Sequence, residues 1–146
     1  MGWHVPSDDE WISLSDYLGS EIVAGGKQKK IGFTHRDEPN FNVTDESRFS
    51  DVAAGTRLSK DYGRYIGLAG YLWSSSEATI EASMMRLLSN DTSALYSYSW
   101  SKNHGHSIRC LYNNFVGNRK ISMNKVINIF PNPLSERIYV EITLHD

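Results

Sequence analysis

The sequence has little that would support disulfides, nucleic-acid binding or membrane insertion. It has one cysteine, Cys110, in 146 residues, so no disulfide or paired-cysteine metal site can form within the chain. The net charge is −2 and the longest basic cluster is "KQKK" at 27–30, so the basic footprint of a nucleic-acid-binding protein is missing. Apolar stretches run for only a few residues, against the ~20 that a spanning helix needs. We therefore predict neither a nucleic-acid partner nor a membrane span.

A signal peptide is also missing. Met1 is followed directly by "GWHVPSDDEW", with neither a basic n-region nor an apolar h-region. We expect that the chain is either an excerpt or a gene product predicted to start too late.

Aromatic residues are abundant. The chain has 8 Tyr, 5 Phe and 4 Trp beside many Ser, Asn and Gly, a mixture typical of a loop-rich extracellular domain. Its length suits one domain plus a tail.

The N-terminal third predicts two short helices and a loop. In "PSDDEWISLSDYLG", Ser7 is the predicted N-cap, Glu10 completes a capping box and Gly19 ends the helix. A second short helix lies within 20–33, weakened by its glycines, and the polar segment 34–51 is a surface loop. The predicted buried face of the first helix consists of Trp11, Leu14 and Leu18.

The hydrophobic period then changes to two, which predicts strands within 70–77, 83–90, 94–101 and 106–112. The last of these places Ile108 and Cys110 on one face. Helices early and strands late predict an α+β domain with a mostly antiparallel sheet.

Five separated blocks resemble a known family. "GWHVPSDDEWISLSDYLG", "AGGKQKKIGF", "TDESRFS", "GYLWSSSE" and "GHSIRCLYN" follow the pattern of the Fibrobacter succinogenes major paralogous domain across roughly 2–113. The resemblance implies a C-type-lectin-like fold for a domain at 1–115, with short N-terminal helices, a mostly antiparallel sheet and long loops. Two positions depart from the pattern: "FSDVAAGTR" stands where the family has a stretch like "FSALPGGYR", and His106 replaces an aromatic residue.

The tail resembles a different module. A polar linker at 116–125 precedes 126–146, where "PNP" and an alternating strand resemble the start of a C-terminal sorting domain of the type IX secretion system. We expect a truncated copy of that module, the type IX machinery as a partner, and a secreted or cell-surface location.

The resemblance also bears on Cys110. Family members commonly have a cysteine just before the "GWHVP" block that can pair with the one in the last block, so Cys110 is interpreted as a structural half-cystine. A nucleophilic or intermolecular thiol is the alternative.

His104 and His106 have the spacing of two metal ligands on one strand. No "HExxH" or paired "CxxC" motif accompanies them, and His106 stands at an aromatic position of the family. We therefore favour packing over metal binding.

The triplet in "DEPN" at 37–40 resembles the calcium-binding "EPN" of sugar-binding C-type lectins, and makes Glu38 and Asn40 candidate calcium ligands. The "WND" block that such lectins need has only "SND" at 89–91 as its analogue. A solvated acidic loop with Pro39 in a turn is the preferred interpretation, so no cofactor is predicted.

Four aromatic residues are candidate ligand-binding residues, because exposed rings can stack on sugars. For the stripe of Tyr96, Tyr98 and Trp100, the preferred interpretation is the core face of a strand, with ligand binding as the alternative. The candidates are Trp73, Tyr96, Tyr98 and Trp100.

No catalytic signature is present: there is no "GxSxG" elbow, and a single cysteine cannot supply a reactive pair. Together with this absence, the family resemblance implies a non-enzymatic, exported recognition domain that binds polysaccharide or a cell-surface protein. A structural or assembly role in the cell envelope, without a small ligand, is the alternative.

Overall fold

The computed structural model describes residues 2–59 and 62–113. Two helices and mostly antiparallel strands confirm the α+β class. The predicted linker at 116–125 and sorting module at 126–146 lie outside the described residues. None of the helices described is long and apolar enough to span a membrane. The elements are β1 (Trp3–His4), α1 (Asp8–Tyr17), α2 (Glu21–Gln28), β2 (Thr56–Arg57), β3 (Gly63–Arg64), β4 (Ala69–Thr79), β5 (Ala82–Ser89), β6 (Tyr96–Ser101) and β7 (Leu111–Tyr112).

Helix α1 begins and ends as the sequence predicts. The Ser7 hydroxyl accepts a hydrogen bond from the Glu10 backbone N–H, and the Glu10 carboxylate accepts one from the Ser7 N–H, which completes the capping box. Gly19 has a φ of 110°, the left-handed conformation that ends a helix most readily at glycine. The predicted apolar face is buried, with Trp11, Leu14 and Leu18 each at most 5% exposed.

Helix α2 forms despite its glycines because they allow a close approach of the loops around it. A Cβ atom on Gly25 would lie 2.3 Å from the carbonyl oxygen of Ala94, and one on Gly26 would lie 2.4 Å from that of Asn42. The helix therefore packs directly on backbone. Residues 34–50 contain neither helix nor strand, as predicted for this loop.

Strands β4, β5 and β6 form one antiparallel sheet with two different faces. Leu72 and Leu88 on one face pack against Trp11 and other apolar residues of the helical layer. The opposite face, which we call the aromatic face, consists of residues in register across the three strands: Tyr71, Leu87 and Tyr96, then Trp73, Met85 and Tyr98, with Trp100 beyond them.

The predicted strand at 106–112 is mostly wrong. Only Leu111–Tyr112 forms a strand, which pairs with Trp3–His4 and not with the main sheet. Ile108 is 55% exposed and Cys110 is also exposed, whereas Arg109 between them points inward, with its guanidinium carbon 4.7 Å from the centre of the Phe49 ring. The buried side is thus the opposite of the one expected from hydrophobicity, because Arg109 finds an aromatic ring and a backbone carbonyl there.

Candidate binding site on the aromatic face

The sheet brings all four predicted ligand-binding residues onto its aromatic face. Trp73 and Tyr98 both lie opposite Met85, on either side of the central strand, and Trp100 follows Tyr98 on β6. Successive side chains of a strand alternate between faces, so residues two apart on β6 share this side.

Tyr96 and Tyr98 are surface residues. They are 39% and 45% exposed, and their rings lie 6.0 Å apart with an angle of 26° between their planes. The core interpretation is therefore wrong for these two tyrosines, because β6 is at the edge of the sheet and the helices cover the other face.

Trp73 and Trp100 are half-buried beside His106. The centre of the His106 ring lies 4.2 Å from that of Trp73 and 5.9 Å from that of Trp100, and it stacks on Tyr71 at 5.3 Å. The imidazole thus packs among aromatic rings, as expected for a position where the family has an aromatic residue.

His106 keeps one polar atom without a partner. Its Nδ1 atom lies 2.9 Å from the Thr56 hydroxyl oxygen, while Nε2 is buried and has no hydrogen-bond partner among the described residues. Burial, and secondarily the neighbouring His104, lower the pKa of His106 to about 4. The ring is therefore neutral near pH 7.

The two histidines do not converge on a common point. Their rings are stacked, with centres 6.3 Å apart and an angle of 19° between planes, and His104 Nδ1 lies 3.1 Å from the Ser101 carbonyl oxygen. Across residues 2–59 and 62–113, no three His, Cys, Asp or Glu side chains are grouped so as to hold a metal ion.

The "DEPN" and "SND" segments meet, although they are about 50 residues apart. The Asn90 side-chain amide donates to the Glu38 carbonyl oxygen at 2.8 Å, and the Asn40 amide donates to those of Lys30 and Gly32. Glu38 is exposed while Asn40 is 4% exposed. The amide nitrogens of both asparagines therefore hold backbone together. A calcium ion would need their oxygens, and Asn40 Oδ1 is buried without a hydrogen-bond partner among the described residues.

A lysine already occupies the carbonyl cluster beside this loop. Lys29 Nζ donates to the carbonyl oxygens of Phe41, Ser89 and Thr92 at 2.9, 3.1 and 2.7 Å. Burial, with a smaller effect of Arg36, lowers the pKa of Lys29 to about 8. With an ammonium group in this position, the carbonyl oxygens of Phe41, Ser89 and Thr92 do not fit a calcium ion.

A buried ion pair next to the sheet was not predicted. Arg36 Nη2 lies 2.6 Å from Asp51 Oδ2, and Arg36 Nη1 donates to the Leu88 carbonyl oxygen. Burial raises the pKa of Asp51 to about 7, although Arg36 and Arg109 oppose that effect. A Cβ atom on Gly70 would lie 2.2 Å from Asp51 Oδ2, so this glycine makes room for the carboxylate. The one available signal was that Asp51 stands in the stretch that departs from the family pattern.

Cys110 lies on the surface, away from these groups. The antiparallel register pairs His4 with Leu111 and Trp3 with Tyr112, and the Asn113 N–H donates to the Gly2 carbonyl oxygen. The half-cystine role stays a prediction.

Comparison with known proteins identifies the family. Neither a search of curated proteins nor a search of solved structures found a match. The sequence model of the Fibrobacter succinogenes major domain matches residues 1–112, about three quarters of the chain. The protein therefore belongs to the Fibrobacter succinogenes major domain family.

Proposed function

We propose that this protein is a non-catalytic recognition domain that binds polysaccharide on its aromatic face. The observation that carries the proposal is that Trp73, Tyr96, Tyr98 and Trp100 share one sheet face that the helices do not cover. Tyr96 and Tyr98 are its exposed members, while Trp73 and Trp100 are half-buried against Tyr71 and Met85. Exposed aromatic side chains next to one another are common at interaction sites of soluble proteins.

The chemistry of the face suits a sugar. The C–H faces of a pyranose ring are apolar and stack on aromatic rings, while its hydroxyls need hydrogen-bond partners. Tyr96 and Tyr98 provide two nearly parallel rings with phenolic hydroxyls. A row of rings on a sheet favours an extended chain over a single small molecule.

The same face supports binding without catalysis. Glycoside hydrolysis usually requires two carboxyl groups flanking the scissile bond. Glu77 lies in register with Ser83 and Trp100, and it is the one carboxylate that the described register places beside the aromatic face, where Lys102 pairs with it. The adjacent histidines stack on each other.

Affinity electrophoresis tests the proposal. The whole chain is run through gels containing a panel of plant and microbial polysaccharides, with calcium and with chelator. We expect retardation by at least one glycan, loss of retardation in Tyr96→Ala and Tyr98→Ala, and no effect of Tyr17→Ala, a tyrosine on α1 that is 85% exposed. Uniform migration of the wild type across the panel would overturn the proposal.

A protein contact is the second candidate function. A groove of about 400 Å³ lies between the loop at 33–37 and residues 52–54, and is bordered by the exposed side chains of Phe33, Val52 and Ile66. Such a surface suits a structural or assembly role in the cell envelope. Cross-linking from Val52→Cys in cells would capture an envelope protein if that role is correct, and Ser13→Cys on α1 is the control. Equal capture by both would reject it.

We further propose that the domain has a C-type-lectin-like fold and is exported by type IX secretion. The pairing of β1 with β7, which joins the two ends of the domain, supports the fold. The resemblance at 126–146 supports the export route. An experimental structure tests the first, and the amount of protein outside native cells with and without a working type IX system tests the second. Equal amounts would reject export by this route.

A further inference from the structure

Strand β6 is an edge strand without the usual protection. Within the described residues it pairs with β5 alone, in a continuous register without a bulge. Its sequence, "YSYSWS", contains neither a charged residue nor a proline. Natural proteins generally guard exposed edges with charges, prolines or bulges, because unpaired backbone groups accept another strand.

The outward-facing groups of β6 follow from the hydrogen bonds of the sheet. Trp73 donates to the Ser107 carbonyl oxygen and Tyr71 accepts from the Ser107 N–H, so both residues face away from β5. Backbone direction alternates along a strand, so Leu72 bonds to Arg86. Because Arg86 bonds to β4, its neighbours Met85 and Leu87 direct their backbone N–H and C=O groups towards β6.

In β5, Met85 therefore faces β6 and bonds to Tyr98. The backbone groups of Ser97 and Ser99, on either side of Tyr98, point outward. Leu95 and Ser101 are the next outward-facing residues on either side. Their backbone groups already form hydrogen bonds, since the Leu95 N–H donates to the Glu21 carbonyl oxygen and the Ser101 carbonyl oxygen accepts from the His104 N–H. The free donors and acceptors of the described edge are thus symmetric about Tyr98.

We propose that two copies of this protein pair through β6, antiparallel and about a two-fold axis at Tyr98. In this register Ser97 of each copy lies opposite Ser99 of the other, and the two residues exchange both of their backbone hydrogen bonds. The two Tyr98 residues form the central non-hydrogen-bonded pair, in which side chains lie closest.

A second copy fits this edge because the register about Tyr98 is self-complementary. Aromatic side chains meet aromatic ones on one side of the joined sheet, and serines meet serines on the other. Tyr96 and Tyr98, 39% and 45% exposed, meet the aromatic side chains of the second copy at their edges and keep their outer ring faces open. Strand β6 contains no charged residue, so pairing two copies of it brings no like charges together.

The pairing has a functional consequence. A two-fold axis perpendicular to the sheet leaves both aromatic faces on the same side, where they form one continuous surface. Any ligand of that face then meets two sites at high effective concentration. The dimer itself rests on the backbone edge and does not depend on the proposed sugar binding.

Sedimentation velocity of the full chain over a range of concentrations tests the dimer. We expect a reversible monomer–dimer equilibrium in the wild type. Tyr98→Lys, which sets two ammonium groups against each other at the axis, should shift the sample to monomer, as should Ser99→Pro, which removes an outward N–H donor. Tyr17→Lys on α1 should leave the equilibrium unchanged.

A mixture of Tyr98→Lys and Tyr98→Glu should recover the dimer, because opposite charges then face each other across the axis. A wild type that stays monomeric at every concentration would overturn the proposal, and so would a dimer that persists in Tyr98→Lys. Ser99→Pro keeps every aromatic ring, so it should retain glycan retardation while losing the dimer. That variant separates failure of the dimer from failure of the binding site.

Discussion

The Nδ1 atom of His106 lies 2.9 Å from the hydroxyl oxygen of Thr56. Both residues stand at positions where the chain departs from the family pattern, one in the stretch "FSDVAAGTR" and the other in place of an aromatic residue. Thr56 is 3% exposed and also donates to the Gly105 carbonyl oxygen. The two departures therefore make a polar contact beneath the aromatic face.

Acid should destabilise the protein through His106. Its pKa is about 4 in the folded chain and about 6.5 when unfolded. Between these values the unfolded chain binds the proton and the folded chain does not, so the free energy of unfolding falls as pH drops from about 6.5 to 4. Urea titrations across this range should show the wild type losing about 2 kcal/mol relative to His106→Phe. The comparison is made between these two proteins because Asp51, whose pKa is raised to about 7, changes the stability of both in the opposite direction.

His106→Phe should remove this component of the pH dependence, because phenylalanine has no proton to bind. The matched control is His35→Phe, which replaces an exposed imidazole on the loop. If His106→Phe and the wild type lose stability in parallel between pH 6.5 and 4, the assignment to His106 is wrong.

Gly25→Ala should destabilise the protein although glycine is a poor helix former. Helix propensity alone predicts a gain of about 1 kcal/mol. The added Cβ would lie 2.3 Å from the Ala94 carbonyl oxygen, and overpacking of this kind costs about 1–3 kcal/mol or more. Thermal unfolding should give a lower Tm than the wild type. Gly2→Ala, with no atom within 4 Å of the added carbon, should leave it unchanged, and a higher Tm for Gly25→Ala would contradict the packing argument.

Lys29→Met should be strongly destabilising. It removes three hydrogen bonds and leaves the carbonyl groups of Phe41, Ser89 and Thr92 without their ammonium partner, a loss of about 3 kcal/mol or more. Lys27→Met is the control, because its ion pair with Glu46 is largely exposed and contributes at most about 1 kcal/mol. Equal urea midpoints for the two variants would show that the carbonyl cluster does not depend on Lys29.

Calcium should not change the stability of the wild type. A ligand raises Tm only if it binds the folded state, and Lys29 already fills the carbonyl cluster beside Asn40. Differential scanning calorimetry with calcium and with chelator should give the same Tm. A rise in Tm that saturates with calcium and disappears in Asn40→Ala would instead establish the "DEPN" loop as a metal site.

Features that depend on residues close together in the chain follow from the sequence. The capping box of Ser7 and Glu10, the apolar face of α1 and the extent of β4, β5 and β6 follow from local hydrogen bonds and from the alternation of side chains along a strand. The family match over residues 1–112 agrees with the resemblance carried by the five sequence blocks.

Tertiary structure alone decided which side of each strand is covered. The alternation of aromatic residues and serines along β6 is compatible with either a buried or an exposed aromatic side. Tyr96 and Tyr98 are exposed because the helices pack on the other face of the sheet. At 106–112 the inward residue is Arg109, whose partner Phe49 is 60 residues away.

The buried charges depend on tertiary structure for the same reason. Lys29 and the pair Arg36 and Asp51 look like ordinary surface residues in the sequence. Only the folded chain brings distant carbonyl oxygens and an opposite charge within hydrogen-bonding distance, which offsets the cost of removing these ions from water.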